Sequence, residues 1–270
     1  MLLWNIEGLN GVRNIMPVNI FKEDITILTE TFLTKEVDLP GFYNYHVLAN
    51  QGNMGRPSGG ITCLVKPWLA PITVLKRTPN LLMIKTNCIT IIGGYFQPEF
   101  SAQEIIEAMN ESIANTSTEE AVLIAGDFNC RTDIHNIKAA QTIAYLEQEG
   151  FKLINDPKEP TYISYNGAST IDLIFLNPRV TKISVQALTK SATTPLRKHI
   201  PILANLEISH KKEELCNSKK TTRHVDTTSL EEATEQIITV NKNIEDGKVN
   251  EAACKITDII RTVQIVTEKR

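Results

Sequence analysis

No stretch of this 270-residue chain approaches the ~20 consecutive apolar residues a membrane-spanning helix needs. Its opening, "MLLWN", turns polar too early for a secretion signal. The expectation is an intracellular protein with no membrane partner. Cysteine is also scarce. The 5 cysteines (Cys63, Cys88, Cys130, Cys216, Cys254) are odd in number, scattered, and form no Cys-x-x-Cys pair, so neither a disulfide framework nor a zinc site is suggested. Excess charge is small, with 28 Lys and Arg against 31 Asp and Glu for a net charge of -3. That balance excludes a uniformly basic nucleic-acid binder, but it suits an enzyme that gathers acids around a cation. There is no internal repeat.

What is present is enough apolar material for one large core: 42% of the residues are hydrophobic and 22% charged, outside the disordered, fibrous and membrane classes. Short apolar runs predict strands at "LLWNI", "ITILTE", "YNYHVLA", "GGITCLVK", "LLMIKT", "ITIIGGYF", "EAVLIAGD", "TIDLIFL" and "PILANLEI". Helical patterns are fewer. Ser101 before "AQEIIEAMNESI" predicts an N-cap with Glu104 at the capping-box position, and "HNIKAAQTIAYLEQEG" is amphipathic and closes on Gly150. Many strands without regular βαβ alternation predict an α/β (α+β) fold of stacked mixed sheets with helices outside. The main domain is expected to span residues 1–208. A polar linker is expected over 209–228, and a C-terminal helical extension over 229–270, where Leu230, Ala233, Ile237 and Ile256, Ile260, Val263 recur at helical spacing.

Chemistry needs polar groups that converge, and seven of them lie in or beside strands. Asn5 follows "LLW", Glu30 ends "ITILT", Tyr95 ends "IIGG", Asp127 and Asn129 end "VLIAG", Asp172 sits inside "STIDLIFLN", and His199 precedes the last strand. The run Ala121 to Ala125 reads as a strand buried on both faces, so the acid and the amide after it emerge at its end, where open α/β sheets bind ligands. Asp127 and Asn129, two apart, are expected on the same side of an extended chain. A carboxylate at Asp172 is costly to bury without a partner, and His199 is the natural one. His46, His135, His210 and His224 have no such context and are expected at the surface or at strand edges.

This pattern resembles the endonuclease/exonuclease/phosphatase family of metal-dependent phosphodiesterases. The matching blocks come in the family's order: "WNIEGL", "LTETFL", "GGITCLV" after "GRPS", "GGYFQP", "GDFN", "STIDLIF" and "KHIPI". Within it, "ETFL", "GRPSGGI" and "YFQPE" look most like the apurinic-type endonuclease domain of LINE-type (non-LTR) retrotransposons. The resemblance implies a four-layered sandwich of two packed mixed β-sheets flanked by helices. It implies a Mg²⁺ (or Mn²⁺) ion held by Glu30, with Glu7 nearby and Asn5 assisting at the metal and phosphate. By the same resemblance, Asp127 orients or deprotonates the attacking water and Asn129 fixes the nucleophile. Asp172 orients His199 or keeps it protonated for the scissile phosphate, and Tyr95 contacts that phosphate. Double-stranded DNA, nicked on one strand to leave a 3'-hydroxyl, is the implied substrate, and the nucleus the implied place of action. Arg56, Arg197 and Lys198 are candidate DNA contacts.

Two departures from the family matter. Members usually carry Asp before the histidine, whereas this chain reads "LRKHIPI" with Lys198 there. At ~4 Å and an effective dielectric near 20, a cation beside the metal costs on the order of 4 kcal/mol unless the side chain turns away. Retroelement relatives also continue into a reverse transcriptase, and nothing after Ile208 supplies polymerase motifs. A longer parent polyprotein carrying that partner is therefore one expectation. The alternative is a degenerate or domesticated domain that binds nucleic acid or protein without cutting.

Overall fold

The computed structural model describes residues 1–13, 21–52, 55–117, 119–188 and 198–208, without the side chains of 12 and 13. These residues fall in the unit Met1–His210. The expected linker and helical extension, together with Arg197, His210 and His224, lie outside the described residues.

Two sheets form the body. The first is built from β1 (Leu2–Asn5), β2 (Ile25–Thr29), β3 (Tyr43–Val47), β4 (Ile61–Val65), β13 (Val180–Ala187) and β14 (Ile202–Ile208), in the order β13-β14-β1-β2-β4-β3. The second contains β5 (Thr73–Arg77), β6 (Leu81–Lys85), β7 (Thr90–Tyr95), β8 (Val122–Asp127), β9 (Lys152–Leu153) and β12 (Asp172–Leu176), in the order β5-β6-β7-β8-β12-β9. Both are mixed: β1 and β2 run parallel, as do β7 and β8, while the other pairings are antiparallel. A separate hairpin joins β10 (Tyr162–Ser164) to β11 (Gly167–Ser169). The helices are α1 (Leu9–Arg13), α2 (Ala102–Ile113) and α3 (Ile137–Gln148).

Strand parity explains why the sheets stack. Along β1, Leu3 enters the core between the sheets, whereas Trp4 faces outward. In β8, Leu123 and Ala125 face inward, while Val122 and Ile124 pack beneath the helices. β12 does the same, with Ile174 and Leu176 inside and Leu173 and Phe175 outside. These strands are buried on both faces, as the continuous apolar runs predict. Alanine and glycine on β7 and β8 let the backbones approach. At Gly126 a Cβ would lie 1.9 Å from the carbonyl oxygen of Gly94, so no side chain fits there.

Helices α2 and α3 cover the outer face of the second sheet through Ile105, Met109, Ile113, Ala139 and Leu146. The Ser101 and Glu104 capping box forms in full, and Asn136 caps α3 through Ala139 N. Among the described residues, the outer face of the first sheet is covered differently. Leu9 of α1 packs there with Leu33, Val37, Leu39 and Phe42 from the irregular segment after β2. The four-layered α/β sandwich expected from the sequence is the observed fold. His46 lies on the edge strand β3, one of the two places expected for it, but it is not at the surface: it is 2% exposed, and its ring bonds Thr62 Oγ1 at 2.8 Å and the Val37 carbonyl at 2.9 Å. His135 is exposed as expected.

Candidate active site

Parity also gathers the polar residues. Asn5 ends β1 on the face of Leu3, Tyr95 ends β7 on the face of Ile91, Asp127 ends β8 on the face of Ala125, and Asp172 begins β12 on the face of Ile174. Each is the rim residue of a column that otherwise fills the core between the sheets. The two parallel pairs put Asn5 beside Thr29, and Tyr95 beside Asp127, in register. Antiparallel β12 brings Asp172 opposite Asp127. The sequence scatters these groups over most of the domain; the ladders return them to one rim.

Three hydrogen bonds then join the two sheets there. Asn5 Nδ2 donates to Asp127 Oδ2 at 2.8 Å, the Tyr95 hydroxyl donates to Glu30 Oε1 at 2.8 Å, and His199 Nδ1 lies 2.9 Å from Asp172 Oδ2. The other ring nitrogen of His199 is 4.0 Å from Asp127 Oδ2. Asn5, Asp127, Asp172 and His199 are all buried. The Asp172 Oδ1 atom has no hydrogen-bond partner.

Supporting groups fix this arrangement. The Thr161 hydroxyl accepts from the backbone of both Ile171 and Asp172, and the Tyr162 ring meets the His199 ring edge-on at 4.8 Å. The Trp4 indole donates to the carbonyl of His199 at 3.2 Å. Trp4 lies inside a recognised block, but Thr161 and Tyr162 sit in "EPTYISYNG", where the sequence carries no signal that they support a histidine.

Asn129 departs from the extended-chain expectation. Its φ is 48°, and its backbone N–H turns back to Asp127 Oδ1 at 2.9 Å while its side-chain amide donates to the Phe96 carbonyl at 2.8 Å. The acid and the amide are neighbours through a tight turn, not through period-two alternation. Glu7 (φ 46°), Glu30 (φ 49°) and Phe32 (φ 53°) are also left-handed. Such conformations cost of order 1–3 kcal/mol each in non-glycine residues and cluster at functional sites. Three of the four are candidate site residues.

Glu7 and Arg56 have structural engagements. Glu7 Oε2 accepts from the backbone N–H of Lys198 at 2.9 Å, and its own N–H donates to Asn5 Oδ1 at 3.2 Å. Arg56 donates to the Glu7 carbonyl at 2.7 Å and lies 4.1 Å over the Phe32 ring, pinning the β1 and β2 exits together. Lys198 is exposed.

Electrostatics follow from burial at close quarters. Burial, and then the charge of Asp172, push the Asp127 carboxyl well above its ordinary range, against the pull of His199, the Asn5 amide and the Asn129 N–H. For His199 burial acts to lower the pKa. The charge and hydrogen bond of Asp172, with the charges of Asp127 and Glu30, outweigh it and raise the value to about 9. Burial first, and Glu30 second, keep the Tyr95 phenol protonated, so that it serves as a donor.

The donor chemistry fits a hard divalent cation, since carboxylate and amide oxygens dominate the rim. Asp127, Asp172 and His199 bring ligand atoms within 4.8 Å of one another, but an imidazolium does not ligate, and these three groups are already engaged with each other. Glu30 is half-buried with one oxygen on Tyr95, and its other oxygen, with no hydrogen bond among the described residues, makes it the better ligand.

Solved structures of nucleases and of a phosphatase share this architecture. A family model described as "Endonuclease-reverse transcriptase" matches residues 89–203. Among curated proteins, no sequence matches this chain. Among solved structures, the endonuclease domain of TRAS1, a telomere-specific non-LTR retrotransposon, superposes with TM-score 0.59 at 14% identity, covering 77% of this chain and 98% of that domain. An AP endonuclease from Archaeoglobus fulgidus gives TM-score 0.60 at 13% identity, over 77% of this chain and 98% of its own. The 3' phosphatase NExo from Neisseria, in a structure bound to product DNA hairpin, gives 0.59 at 12%, over 76% and 98%. At these identities the structures speak for the fold. In fold and in sequence, this chain is similar to the endonuclease/exonuclease/phosphatase family, as its ordered blocks suggested.

Proposed function

We propose that the protein is a Mg²⁺-dependent DNA endonuclease of the retrotransposon type, nicking one strand of duplex DNA to leave a 3'-hydroxyl. The observation that carries this reading is the pair of buried hydrogen bonds at one rim, Asn5 to Asp127 and His199 to Asp172, with His199 Nε2 4.0 Å from Asp127, which places Asp127 between the Asn5 amide and the Asp172–His199 pair. A divalent ion held by Glu30, with Glu7 and Asn5 nearby, would supply charge neutralisation at the phosphate and a site for its oxygen.

The chain's own groups do the rest. Asp127, whose carboxyl is pushed toward the neutral range, is suited to accept a proton from the attacking water. Asn129 cannot titrate, so it holds geometry while Asp127 changes charge. His199, kept protonated by Asp172, presents Nε2–H to a phosphate oxygen as negative charge builds there. Tyr95 stays protonated at neutral pH, and its hydroxyl would meet the same group by exchanging its present acceptor, Glu30, for a phosphate oxygen. Exposed Arg56 and Lys198, with Arg197, would meet the DNA backbone; in this reading the protein acts in the nucleus, beside a reverse transcriptase of the same parent polyprotein.

The second reading, a non-cutting relative, is motivated at the site by Lys198, which stands where the family usually has Asp. Conversion of supercoiled plasmid to open circle with Mg²⁺, and its suppression by EDTA, tests the enzyme directly. The enzyme reading fails if the wild type makes no metal-dependent nick and Lys198→Asp does not create one.

A further inference from the structure

A pocket of about 510 Å³ opens beside Tyr95, between the β3–β4 connection and the β7–α2 connection. Its size is that of small-molecule sites, ~300–1,000 Å³. Tyr95 is the partition. Its hydroxyl is bound to Glu30, while its ring edge forms the pocket wall, 3.5 Å from where a Cβ of Gly59 would stand. Whatever enters therefore lies against the same side chain that faces the scissile group in the proposed reaction.

The walls are firm and flat. Gly59 and Gly60 are left-handed, at φ +74° and +92°, and their carbonyls are fixed by Phe32 N and Thr31 N. A Cβ on Gly60 would stand 2.6 Å from Thr31 Oγ1, so that wall carries no side chain. Phe100, packed edge-on against Phe96 at 5.8 Å, supplies an aromatic face. The Asn80 amide is spent on the Tyr95 carbonyl. Among the described residues, the amides of Gln97 and Asn50 hold no hydrogen bond, although both line the pocket. Arg77, also in the lining, has only an exposed partner, Glu36 at 3.5 Å, and surface pairs of that kind hold weakly.

A slot of mixed polarity with an aromatic wall, two amides carrying both donors and acceptors, and a loosely held guanidinium matches one nucleoside and its phosphate. Bases stack on rings, and amides read base edges by paired hydrogen bonds. We propose that this pocket receives the unstacked base of the nucleotide adjoining the scissile phosphate, with Gln97 and Asn50 as specificity-determining residues and Arg77 at the phosphate. The inference rests on the nuclease reading above and names the part of the substrate that Tyr95 abuts.

The test maps nicks by sequencing the ends produced in Mg²⁺ from a duplex library randomised around the cut. Wild type is expected to show a base preference at one position next to the nick. Gln97→Ala and Asn50→Ala should each weaken that preference about fivefold or more. Lys152→Ala, on β9 at the far edge of the second sheet, should keep it. With an abasic residue at that position, wild type and Gln97→Ala should nick at equal rates. Nicking with no preference there, or a preference unchanged in both amide variants, overturns the subsite and leaves the nuclease standing. Absence of nicks from every substrate overturns the nuclease reading and the subsite with it.

Discussion

Replacing Asp172 by Asn isolates the electrostatic core of the site, because it removes one charge while keeping shape and a hydrogen-bond acceptor. In the wild type that charge sits 2.9 Å from His199 Nδ1, with both side chains almost wholly buried. It is the leading reason the imidazole titrates near 9 and not near 6.5, although burial pulls the other way. At 2.9 Å and an effective dielectric near 20, the pair attraction is on the order of 6 kcal/mol. The rise from 6.5 to about 9 corresponds to ~3 kcal/mol at ~1.36 kcal/mol per unit, the remainder being offset by desolvation. In Asp172→Asn, burial then acts against only Asp127 and Glu30, and the His199 pKa should fall by roughly two units or more. The sign for stability follows. A histidine whose folded pKa is raised stabilises the fold fully below its unfolded value near 6.5, and that contribution fades as pH climbs through 9. Wild type should therefore lose up to ~3 kcal/mol between pH 6.5 and 9 from this group, and the variant should lose much less. Histidine ¹³C shifts in metal-free buffer, with urea melts at pH 6 and 9, read both quantities. A wild-type His199 titrating near 6.5, or a variant with an unchanged titration, refutes the pairing as the source of its charge.

Asp127→Asn should cut plasmid nicking by ~10² or more. It should also raise urea stability at pH 8, because a buried acid whose folded pKa is raised loses stability as pH climbs above its unfolded value; lowered stability at pH 8 would contradict the strained carboxylate. Lys198→Asp should shift the Mg²⁺ titration of nicking to lower concentration, and an unchanged midpoint would show that the exposed ammonium never meets the ion's field. Gly126→Ala should destabilise by ~3 kcal/mol or more, since its Cβ would collide with the Gly94 carbonyl; a near-native urea midpoint would mean the β7–β8 register differs from that described.

The sequence exposed most of the rim because strand ends are punctuated by residue type. Period-two parity along "LLWN", "ITIIGGY" and "VLIAGD" places Asn5, Tyr95 and Asp127 on the inward face once both faces are known to be buried. The cost of burying Asp172 showed that it needs a partner, and the resemblance to the family pointed to His199 as that partner. What escaped has physical causes. Edge strands β5 and β13 are largely exposed and read as polar connections. The two-residue β9 and the three-residue β10 and β11 are too short to show a period. The left-handed turn at Asn129 followed no rule of alternation, since a backbone N–H to Asp127 set it. That His46 on its edge strand is buried was not visible locally, because it depends on Thr62 from the neighbouring strand and on the Val37 carbonyl.

Because the three rim hydrogen bonds each tie one sheet to the other, the reactive groups are held by the same contact that closes the hydrophobic interior. Among the described residues, the reactive groups are fixed by the seam itself. In the proposed nuclease reading, the cost of reaching a reactive geometry therefore falls on the nucleic acid, which must bend or splay its strand onto that edge. Sequences that distort easily should therefore be cut first, whatever bases they carry.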